Sequence, residues 1–286
     1  MAILPPVHTG DHLGARFGSD GAFLSAAAEF AHVGVTGGAQ VMIFPSPRLR
    51  GSLGDRLGAS PPLRRALHEG HLHVMDTVQA RHAGGGFDAG RLHAAYRDAA
   101  LAATAAGYPG LWVAVDMAWA CPVDRADAVD AVDAVDIDAL VAFEAAANTL
   151  FTLGTLTALC AYDTRVFTSG HVFRACQAHP AIAEAARFGH RATADGDGLA
   201  FSGEADRSNA LAWKALLSSF DPGHHVVDIS AMSFLGVRAL ADLADLAAAD
   251  RSRPLTIRAT SSQVTRLSLL RIDRLAAIEV LPARTP

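Results

Sequence analysis

Two kinds of hydrophobic spacing alternate along the first 190 residues. Short apolar runs of strand length are separated by longer stretches in which apolar residues recur every three or four positions, as on one face of a helix. The predicted strands are residues 13–17, 40–44, 72–75, 111–115 and 156–161, and the predicted helices are residues 22–35, 87–106 and 137–150. This alternation predicts an α/β fold with a parallel sheet that helices cover on both faces.

A polar, glycine-bearing stretch interrupts this pattern and predicts a linker over residues 191–197. After it the pattern restarts with shorter elements in the order β-α-β-α-β-α-β. The predicted strands are residues 199–202, 225–229, 255–259 and 277–281, and the predicted helices are residues 208–220, 235–249 and 262–270. The sequence therefore predicts two domains, residues 1–190 and residues 198–286, each of an ordinary domain size.

The composition narrows the class of protein. Hydrophobic residues make up 51% of the chain and the mean hydropathy is +0.23, yet no uncharged apolar run reaches the roughly 18 residues of a transmembrane helix. The first ten residues lack the basic-then-apolar order of a secretory signal. We therefore expect a cytoplasmic protein with no membrane partner and with its three cysteines reduced. The net charge of −5, without a basic stripe, argues against nucleic acid as a partner.

The second predicted domain carries motifs of a known family. The segment Gly203-Glu204-Ala205-Asp206 precedes Asn209 at a predicted helix start. The segment from His225 to Ser230 is a predicted apolar strand, and Phe234 lies six residues after Asp228 within it. In this order the motifs resemble those of STAS (anti-sigma factor antagonist) domains. The resemblance implies a small mixed sheet flanked by helices that binds an anti-sigma factor or a kinase-like regulator.

The sequence departs from that family at its regulatory position. The family carries a phosphoacceptor serine at the start of the helix after the phenylalanine, and Arg238 stands there instead. Arginine has no hydroxyl to phosphorylate, so we expect a docking surface without the phosphorylation switch. The predicted partner-binding residues are Phe234, Gly236, Val237 and Arg238. A constitutive scaffold or dimerisation module remains an alternative, because one fold serves many functions.

The first predicted domain also carries family motifs, spread over residues 8–183. They are Asp11-His12-Leu13 with Phe17, the segments 38–43, 107–112 and 116–120, Phe143-Glu144 with Asn148, the segment 159–163 with Cys160, Tyr162 and Asp163, and His179-Pro180. These motifs resemble the MEDS sensory domain, named for methanogens, methylotrophs and a dichloromethane-responsive regulator. The resemblance implies sensing of small hydrocarbon derivatives by a degenerate relative of RecA- and KaiC-type ATPases.

The residues themselves argue against ATP hydrolysis. A phosphate-binding loop needs a lysine at its end, and Lys214 is the only lysine in the chain. The equivalent turn, residues 18–21, contains Asp20, which would repel a phosphate. Ligands of open parallel sheets bind outside the carboxyl ends of the strands, so we expect a small organic ligand there. The predicted ligand-binding residues are His12, Phe17, Ser19, Phe44, Asp116, Trp119, Glu144, Tyr162 and Asp163.

Other residues of the chain suggest sites that compete with this pocket. His8 with His12, and the histidines of the segment 68–73, have spacings that can suit zinc. Neither set has an evident third ligand of matching spacing, so no metal or other cofactor is expected. Cys160 lies in an apolar stretch that is typical of an inert core thiol. An unrecognised enzyme with a pocket at Asp116, Glu144 and Asp163 is the alternative to a non-enzymatic role.

Together these patterns predict a signalling protein. The first domain would sense a small organic ligand, whose identity the sequence leaves open, and the second would bind an anti-sigma factor or kinase-like regulator. A homodimer and a ligand-independent scaffold are left open.

Overall fold

The computed structural model describes residues 4–76, 87–120, 135–183, 187–220, 224–249 and 254–282. Within them the chain forms a six-stranded sheet followed by a five-stranded sheet, both flanked by helices. This arrangement confirms the predicted α/β class. No helix in these ranges has both the length and the apolar character needed to cross a membrane.

The first sheet is parallel at every strand pair, with the order β3-β2-β4-β5-β1-β6. Its strands are β1 (His12–Phe17), β2 (Gln40–Phe44), β3 (Leu72–Val74), β4 (Leu111–Asp116), β5 (Leu156–Asp163) and β6 (Ala181–Ile182). Its helices are α1 (Asp20–Thr36), α2 (Arg50–Gly58), α3 (Pro61–His68), α4 (Ala89–Ala105), α5 (Ile137–Ala147) and α6 (Ser169–Gln177). The spacing of apolar residues did not reveal α2, α3, α6 or the two-residue strand β6.

Two hydrophobic cores lie on opposite faces of this sheet, because successive strand residues point to opposite sides. In β4, Trp112 and Ala114 pack into the core under α1, α2 and α3, whereas Val113 and Val115 pack into the core under α4, α5 and α6. The central strands β4 and β5 are buried along their whole length. Burial on both faces explains why these strands have continuous apolar sequences rather than alternating ones.

The second sheet has the order β11-β10-β9-β8-β7 and is parallel except for β7, which runs antiparallel to β8. Its strands are β7 (Phe188–Ala192), β8 (Gly198–Ala205), β9 (Val226–Leu235), β10 (Thr256–Thr260) and β11 (Ala277–Leu281). Its helices are α7 (Ala210–Ser218), α8 (Val237–Ala248) and α9 (Ser261–Leu269). The four strands and three helices predicted after residue 198 are all present.

The structure corrects the predicted linker. Residues 188–192 form β7, and residues 193–197 form the hairpin turn that joins β7 to β8. The Thr193 hydroxyl oxygen accepts hydrogen bonds from the Asp197 and Gly198 amides at 3.1 and 3.0 Å, which closes the turn. The polar sequence therefore marks a hairpin within the second sheet rather than a tether between two domains.

Strand β7 also contacts the first part of the chain. The Phe188 amide donates to the Pro180 carbonyl and the Ala192 amide donates to the Thr152 carbonyl, each at 3.0 Å. Helix α7 packs against α5 and α6 beside these bonds. The second sheet is thus attached to the first by backbone hydrogen bonds as well as by side-chain packing.

Substitution of Gly198 tests the close approach of β8 and β9. A Cβ atom at this position would lie 1.8 Å from the Val226 carbonyl oxygen, so alanine requires the two strands to separate. We expect Gly198→Ala to lower the free energy of unfolding by roughly 3 kcal/mol or more. Gly51→Ala is the control: its Cβ meets no atom within 4 Å on exposed helix α2, and we expect it to stabilise by up to about 1 kcal/mol. Urea unfolding of both variants measures these changes, and equal stabilities would contradict the close approach.

Candidate functional site

A cluster of polar side chains is buried on the face of the first sheet that α5 covers. His12 lies in β1, Cys160 and Tyr162 lie in β5, Glu144 lies in α5, and His179 follows α6. None of these five residues, called the buried cluster below, is more than 6% exposed. The pairing of β1 with β5 places Gly14 opposite Cys160, and the alternation of side chains puts Cys160 and Tyr162 on the same face.

Glu144 lies at the centre of the buried cluster. Its Oε2 atom is 3.2 Å from His12 Nε2, 3.5 Å from His179 Nε2 and 3.7 Å from Cys160 Sγ. Its Oε1 atom accepts a hydrogen bond from the Tyr162 hydroxyl at 3.0 Å. Cys160 Sγ is also 3.5 Å from His12 Nε2. One carboxylate is therefore contacted by two imidazoles, a thiol and a phenol.

The orientation of His12 is fixed by Asn148. Asn148 donates its Nδ2 hydrogens to the Ala178 and Ala145 carbonyls at 2.8 and 2.9 Å, so its Oδ1 atom is an acceptor. His12 Nδ1, at 2.9 Å from that oxygen, must then carry a hydrogen and donate it. The His12 ring also stacks on Phe151 with 4.5 Å between ring centroids. In its neutral form His12 therefore directs an unprotonated Nε2 at Glu144.

His179 is oriented in the same way. Its Nδ1 atom donates to the Ala175 carbonyl at 2.9 Å, which leaves Nε2 without a hydrogen in the neutral ring. This Nε2 is fully buried and has no hydrogen-bond partner among the described residues, although it faces Glu144 at 3.5 Å. Two imidazole nitrogens with lone pairs thus converge on a carboxylate, an arrangement that needs positive charge between them.

The pKa values in the buried cluster follow from burial and from these contacts. Burial opposes ionisation of Glu144, but hydrogen bonds and positive charge from the protonated forms of His12 and His179 outweigh it and lower the pKa of Glu144. Burial and the neighbouring His179 lower the pKa of His12. Burial, with the Glu144 charge beside it, raises the pKa values of the Cys160 thiol and the Tyr162 hydroxyl. Glu144 therefore carries a buried negative charge at neutral pH.

An apolar cavity of about 280 Å³ adjoins the buried cluster. It lies between α4 and the face of β2 and β4, and its wall consists of alternate strand residues and one side of the helix. Its lining residues are Met42, Phe44, Met75, Leu92, Ala95, Tyr96, Ala99, Leu111, Val113, Val115 and Trp119. As far as the described residues form it, this wall contains no charged group.

A smaller void joins the two features. It measures about 30 Å³ and is bounded by Tyr96, Val115 and Trp119 on the side of the apolar cavity and by Glu144 and Cys160 on the other. A void of this size can hold a water molecule or a single ion. The apolar cavity and the buried cluster therefore share a wall.

The structure divides the nine predicted ligand-binding residues instead of bringing them into one pocket. His12, Glu144 and Tyr162 belong to the buried cluster, whereas Phe44 and Trp119 line the apolar cavity. The other four, Phe17, Ser19, Asp116 and Asp163, lie at the carboxyl edge of the sheet.

Two of these four have structural partners. Phe17 packs on Phe23 in the core, with 5.3 Å between ring centroids. Ser19 caps α1 by accepting a hydrogen bond from the Ala22 amide. Neither contact requires a ligand, because both are common ways to fix the start of a helix on a sheet.

Asp116 and Asp163 have partners of different kinds. Asp116 accepts hydrogen bonds from the backbone amides of Ser46 and Ala118 at 3.3 and 3.0 Å, and burial raises its pKa. Asp163 accepts from Arg48 at 2.9 Å and from Arg165 at 2.7 Å. The three carboxylates weighed as an enzyme pocket therefore have separate partners, since Glu144 belongs to the buried cluster.

Ion pairs occupy the turn where a phosphate-binding loop would hold its ligand. Arg48 and Arg165 both pair with Asp20 in addition to Asp163. The hydrogen bonds from the two arginines lower the pKa of Asp20. Two positive charges are thus already matched by two carboxylates of the chain at this turn.

Sequence reasoning missed Cys160, His179 and Asn148 as members of the site. Cys160 was expected to be an inert core thiol, but it contacts both His12 and Glu144. All three residues lie in the motifs on which the resemblance to the sensory domain rests, so that resemblance was the available indication. Among the described residues, the histidines of the segment 68–73 form no comparable group.

The predicted partner-binding residues form the β9–α8 junction of the second sheet. Phe234 is 47% exposed and Val237 is 79% exposed, and Gly236 is the N-cap of α8. Arg238 projects from the first turn and pairs with Asp242 at 3.0 Å. Two large apolar side chains are therefore accessible next to a paired arginine.

The first sheet thus belongs to the α/β class and places an apolar cavity beside a buried polar cluster. Residues 11–180 match the family model of the MEDS domain, described as the methanogen/methylotroph, DcmR sensory domain. The match spans more than half of the chain, and the chain belongs to this family. It includes the whole buried cluster and ends before β7. No similar curated protein and no similar solved structure was found.

The buried cluster is connected to the second sheet through Asn148. His190, in β7, donates from Nε2 to the Asn148 carbonyl at 2.8 Å, while the side chain of Asn148 holds His12. Burial lowers the pKa of His190 to about 4. This histidine is consequently neutral at neutral pH.

His190 gives the protein a defined sensitivity to acid. Its pKa is about 4 in the folded state against 6.5 for an unperturbed histidine, so the unfolded state binds more protons between these values. We expect the free energy of unfolding to fall as pH drops from about 6.5 to about 4, with His190 contributing about 3 kcal/mol. His190→Gln, which keeps a hydrogen-bond donor, should reduce this slope. Urea unfolding at several pH values measures it, and identical slopes would contradict the assignment.

Proposed function

We propose that the chain senses a small uncharged organic molecule in the apolar cavity and transmits its binding to the second sheet. Membership of a sensory-domain family assigns the chain a regulatory sensory role. The observation that carries the finer proposal is the apolar cavity of about 280 Å³ that adjoins a buried polar cluster. No enzymatic step is part of this proposal.

The wall chemistry of the cavity supports a neutral apolar ligand. The aromatic rings of Phe44 and Trp119 and the thioethers of Met42 and Met75 offer polarisable surface. The volume lies just below the usual range of ligand pockets, about 300–1,000 Å³, which favours a molecule of few heavy atoms. A charged ligand would lose its hydration without gaining a counter-ion from this wall.

The contacts of Asn148 support a route from the cavity to the second sheet. Helix α5 contributes Phe143 and Glu144 to the void beside the cavity, and Asn148 follows directly after this helix. A displacement of α5 by the ligand would move Asn148 and with it the His190 hydrogen bond in β7. Such coupling requires the ligand to bind one arrangement of α5 better than the other.

We propose that the second sheet is a STAS-like module that binds an anti-sigma factor or kinase-like regulator. The mixed sheet and the exposed side chains of Phe234 and Val237 support this role. Exposed aromatic and aliphatic residues at the start of a helix are suitable anchors for a protein interface. Arg238 in place of a phosphoacceptor makes control depend on the first sheet.

Thermal denaturation tests the sensing site. We expect benzene, toluene or dichloromethane to raise Tm by about 5 °C at concentrations about 100-fold above Kd, because they bind only the folded state. Ionised benzoate, which the apolar wall excludes, should have no effect. Ala99→Leu fills the cavity and should abolish the shift.

The control variant is Ala183→Leu. It alters a separate cavity of about 350 Å³ between β1 and α6, and it should retain the shift. Loss of the shift in Ala183→Leu with retention in Ala99→Leu would place binding in the other cavity and contradict the proposed site.

Direct binding tests the output surface. The purified chain is titrated with each anti-sigma factor encoded in its own genome. We expect Phe234→Glu to weaken the affinity for the cognate factor at least about tenfold, as for an anchor residue at an interface. Leu101→Glu changes another exposed apolar residue, 58% exposed on α4, and should bind normally. Absence of binding to every factor, or equal binding by Phe234→Glu, would overturn this output.

A further inference from the structure

We propose that His12, Glu144, Cys160 and His179 bind a divalent transition metal ion, with Zn²⁺ as the ion their chemistry suits best. The proposal stands independently of the organic ligand and of the second sheet. Each residue offers one ligand atom, and the four atoms lie within 4.8 Å of one another.

The spacing of these atoms matches the edges of a tetrahedron around zinc. Zinc bonds of about 2.0–2.1 Å to nitrogen or oxygen and about 2.3 Å to sulfur give ligand–ligand edges of roughly 3.3–3.6 Å. The corresponding distances are 3.2 Å from His12 Nε2 to Glu144 Oε2, 3.5 Å from His179 Nε2 to the same oxygen, and 3.5 Å from His12 Nε2 to Cys160 Sγ. The Cys160–Glu144 distance is 3.7 Å, and the two remaining pairs, His179 with His12 and His179 with Cys160, lie within 4.8 Å.

The histidines have the tautomer that metal binding requires. His12 donates its Nδ1 hydrogen to Asn148, and His179 donates its own to the Ala175 carbonyl. Both rings therefore present an unprotonated Nε2 to the centre of the group. Metal-ligating histidines almost always donate their second ring nitrogen to an oxygen in this way, because that bond fixes both tautomer and orientation.

His179 Nε2 gives an independent indication of a missing partner. The residue is completely buried, and this nitrogen has no hydrogen-bond partner among the described residues. A buried polar atom without a partner destabilises the folded state, so such atoms are rare in folded proteins. A cation between His179, His12 and Glu144 would bind the lone pair and separate it from the carboxylate.

The charge and donor types select the class of ion. Binding of M²⁺ with loss of the Cys160 proton to solvent leaves a thiolate and a carboxylate, which balance the two positive charges. Two imidazoles, one sulfur and one carboxylate suit zinc, cobalt or iron rather than Mg²⁺ or Ca²⁺, which take mainly oxygen ligands. The void of about 30 Å³ that reaches His12, Glu144 and Cys160 provides room at the site.

The ion would connect two strands of the first sheet with two of the segments that cover it. Its ligands come from β1, α5, β5 and the segment after α6, and Tyr162 fixes the carboxylate through its bond to Glu144 Oε1. Metal binding to such a set adds to the stability of the folded state.

The experiment uses the full chain, first stripped with a chelator and dialysed, and then titrated with Zn²⁺ or Co²⁺ alone. We expect one zinc per chain, a higher Tm with zinc than without, and a Co²⁺ spectrum with tetrahedral ligand-field bands and a thiolate charge-transfer band. Tyr162→Phe keeps all four ligands and should weaken zinc binding about 10- to 100-fold, because it frees the carboxylate.

Cysteine variants assign the sulfur. The double variant Cys121→Ser/Cys176→Ser leaves Cys160 as the only thiol of the chain and should retain the charge-transfer band. Cys160→Ser should lose that band, and His179→Gln should bind zinc at least about 100-fold more weakly than the parent. This spectrum of the double variant decides the assignment even if Cys160→Ser fails to fold.

Two results would overturn the proposal. One is the absence of stoichiometric zinc together with no charge-transfer band in the parent protein, which would make the group a hydrogen-bonded core. The other is metal binding that persists unchanged in Cys160→Ser and His179→Gln, which would place the ion elsewhere.

Discussion

The buried carboxylate of Glu144 is the constraint on which the site depends. A charge removed from water is tolerated only where partners compensate it, and burial of an unpaired one would cost several kcal/mol. His12, His179 and Tyr162 supply those partners from three different segments. Their own orientations are fixed in turn by Asn148 and by backbone carbonyls. The packing of β1, β5, α5 and the end of α6 is therefore tied to one side chain.

How much of the fold the sequence could predict depends on which elements have a local hydrophobic pattern. The α/β class and the positions of most strands along the chain follow from local hydrophobic spacing. Strands β4 and β5 show this spacing clearly because both of their faces are buried. Strand β7 was mistaken for part of a linker, because its polarity reflects an edge position and a tight turn. It is a strand because it pairs with β8 across a hairpin, and a local pattern of hydrophobic residues does not indicate that pairing.

The site itself was only partly predictable, for a related reason. His12 and Cys160 are 148 residues apart and meet only because β1 pairs with β5. No spacing rule connects them, so Cys160 was interpreted as an isolated core thiol. His12, Glu144 and Tyr162, which were predicted to contact a ligand, do lie together in the buried cluster. Asp163 was predicted with them, but its arginine partners hold it at the carboxyl edge. That edge is neutralised by ion pairs within the chain, whereas the apolar cavity lies on the face of the sheet.

Strand β7 has a consequence for the way a signal could pass through the molecule. It pairs with β8 on one side, and its amides at Phe188 and Ala192 bond to carbonyls of the first part of the chain. The border between the sensing half and the second sheet is thus a shared, extended segment instead of a flexible joint. A displacement in the first part of the chain would therefore reach the second sheet as a small shift of β7. Cutting the chain before β7 would expose a sheet edge that is prone to self-association.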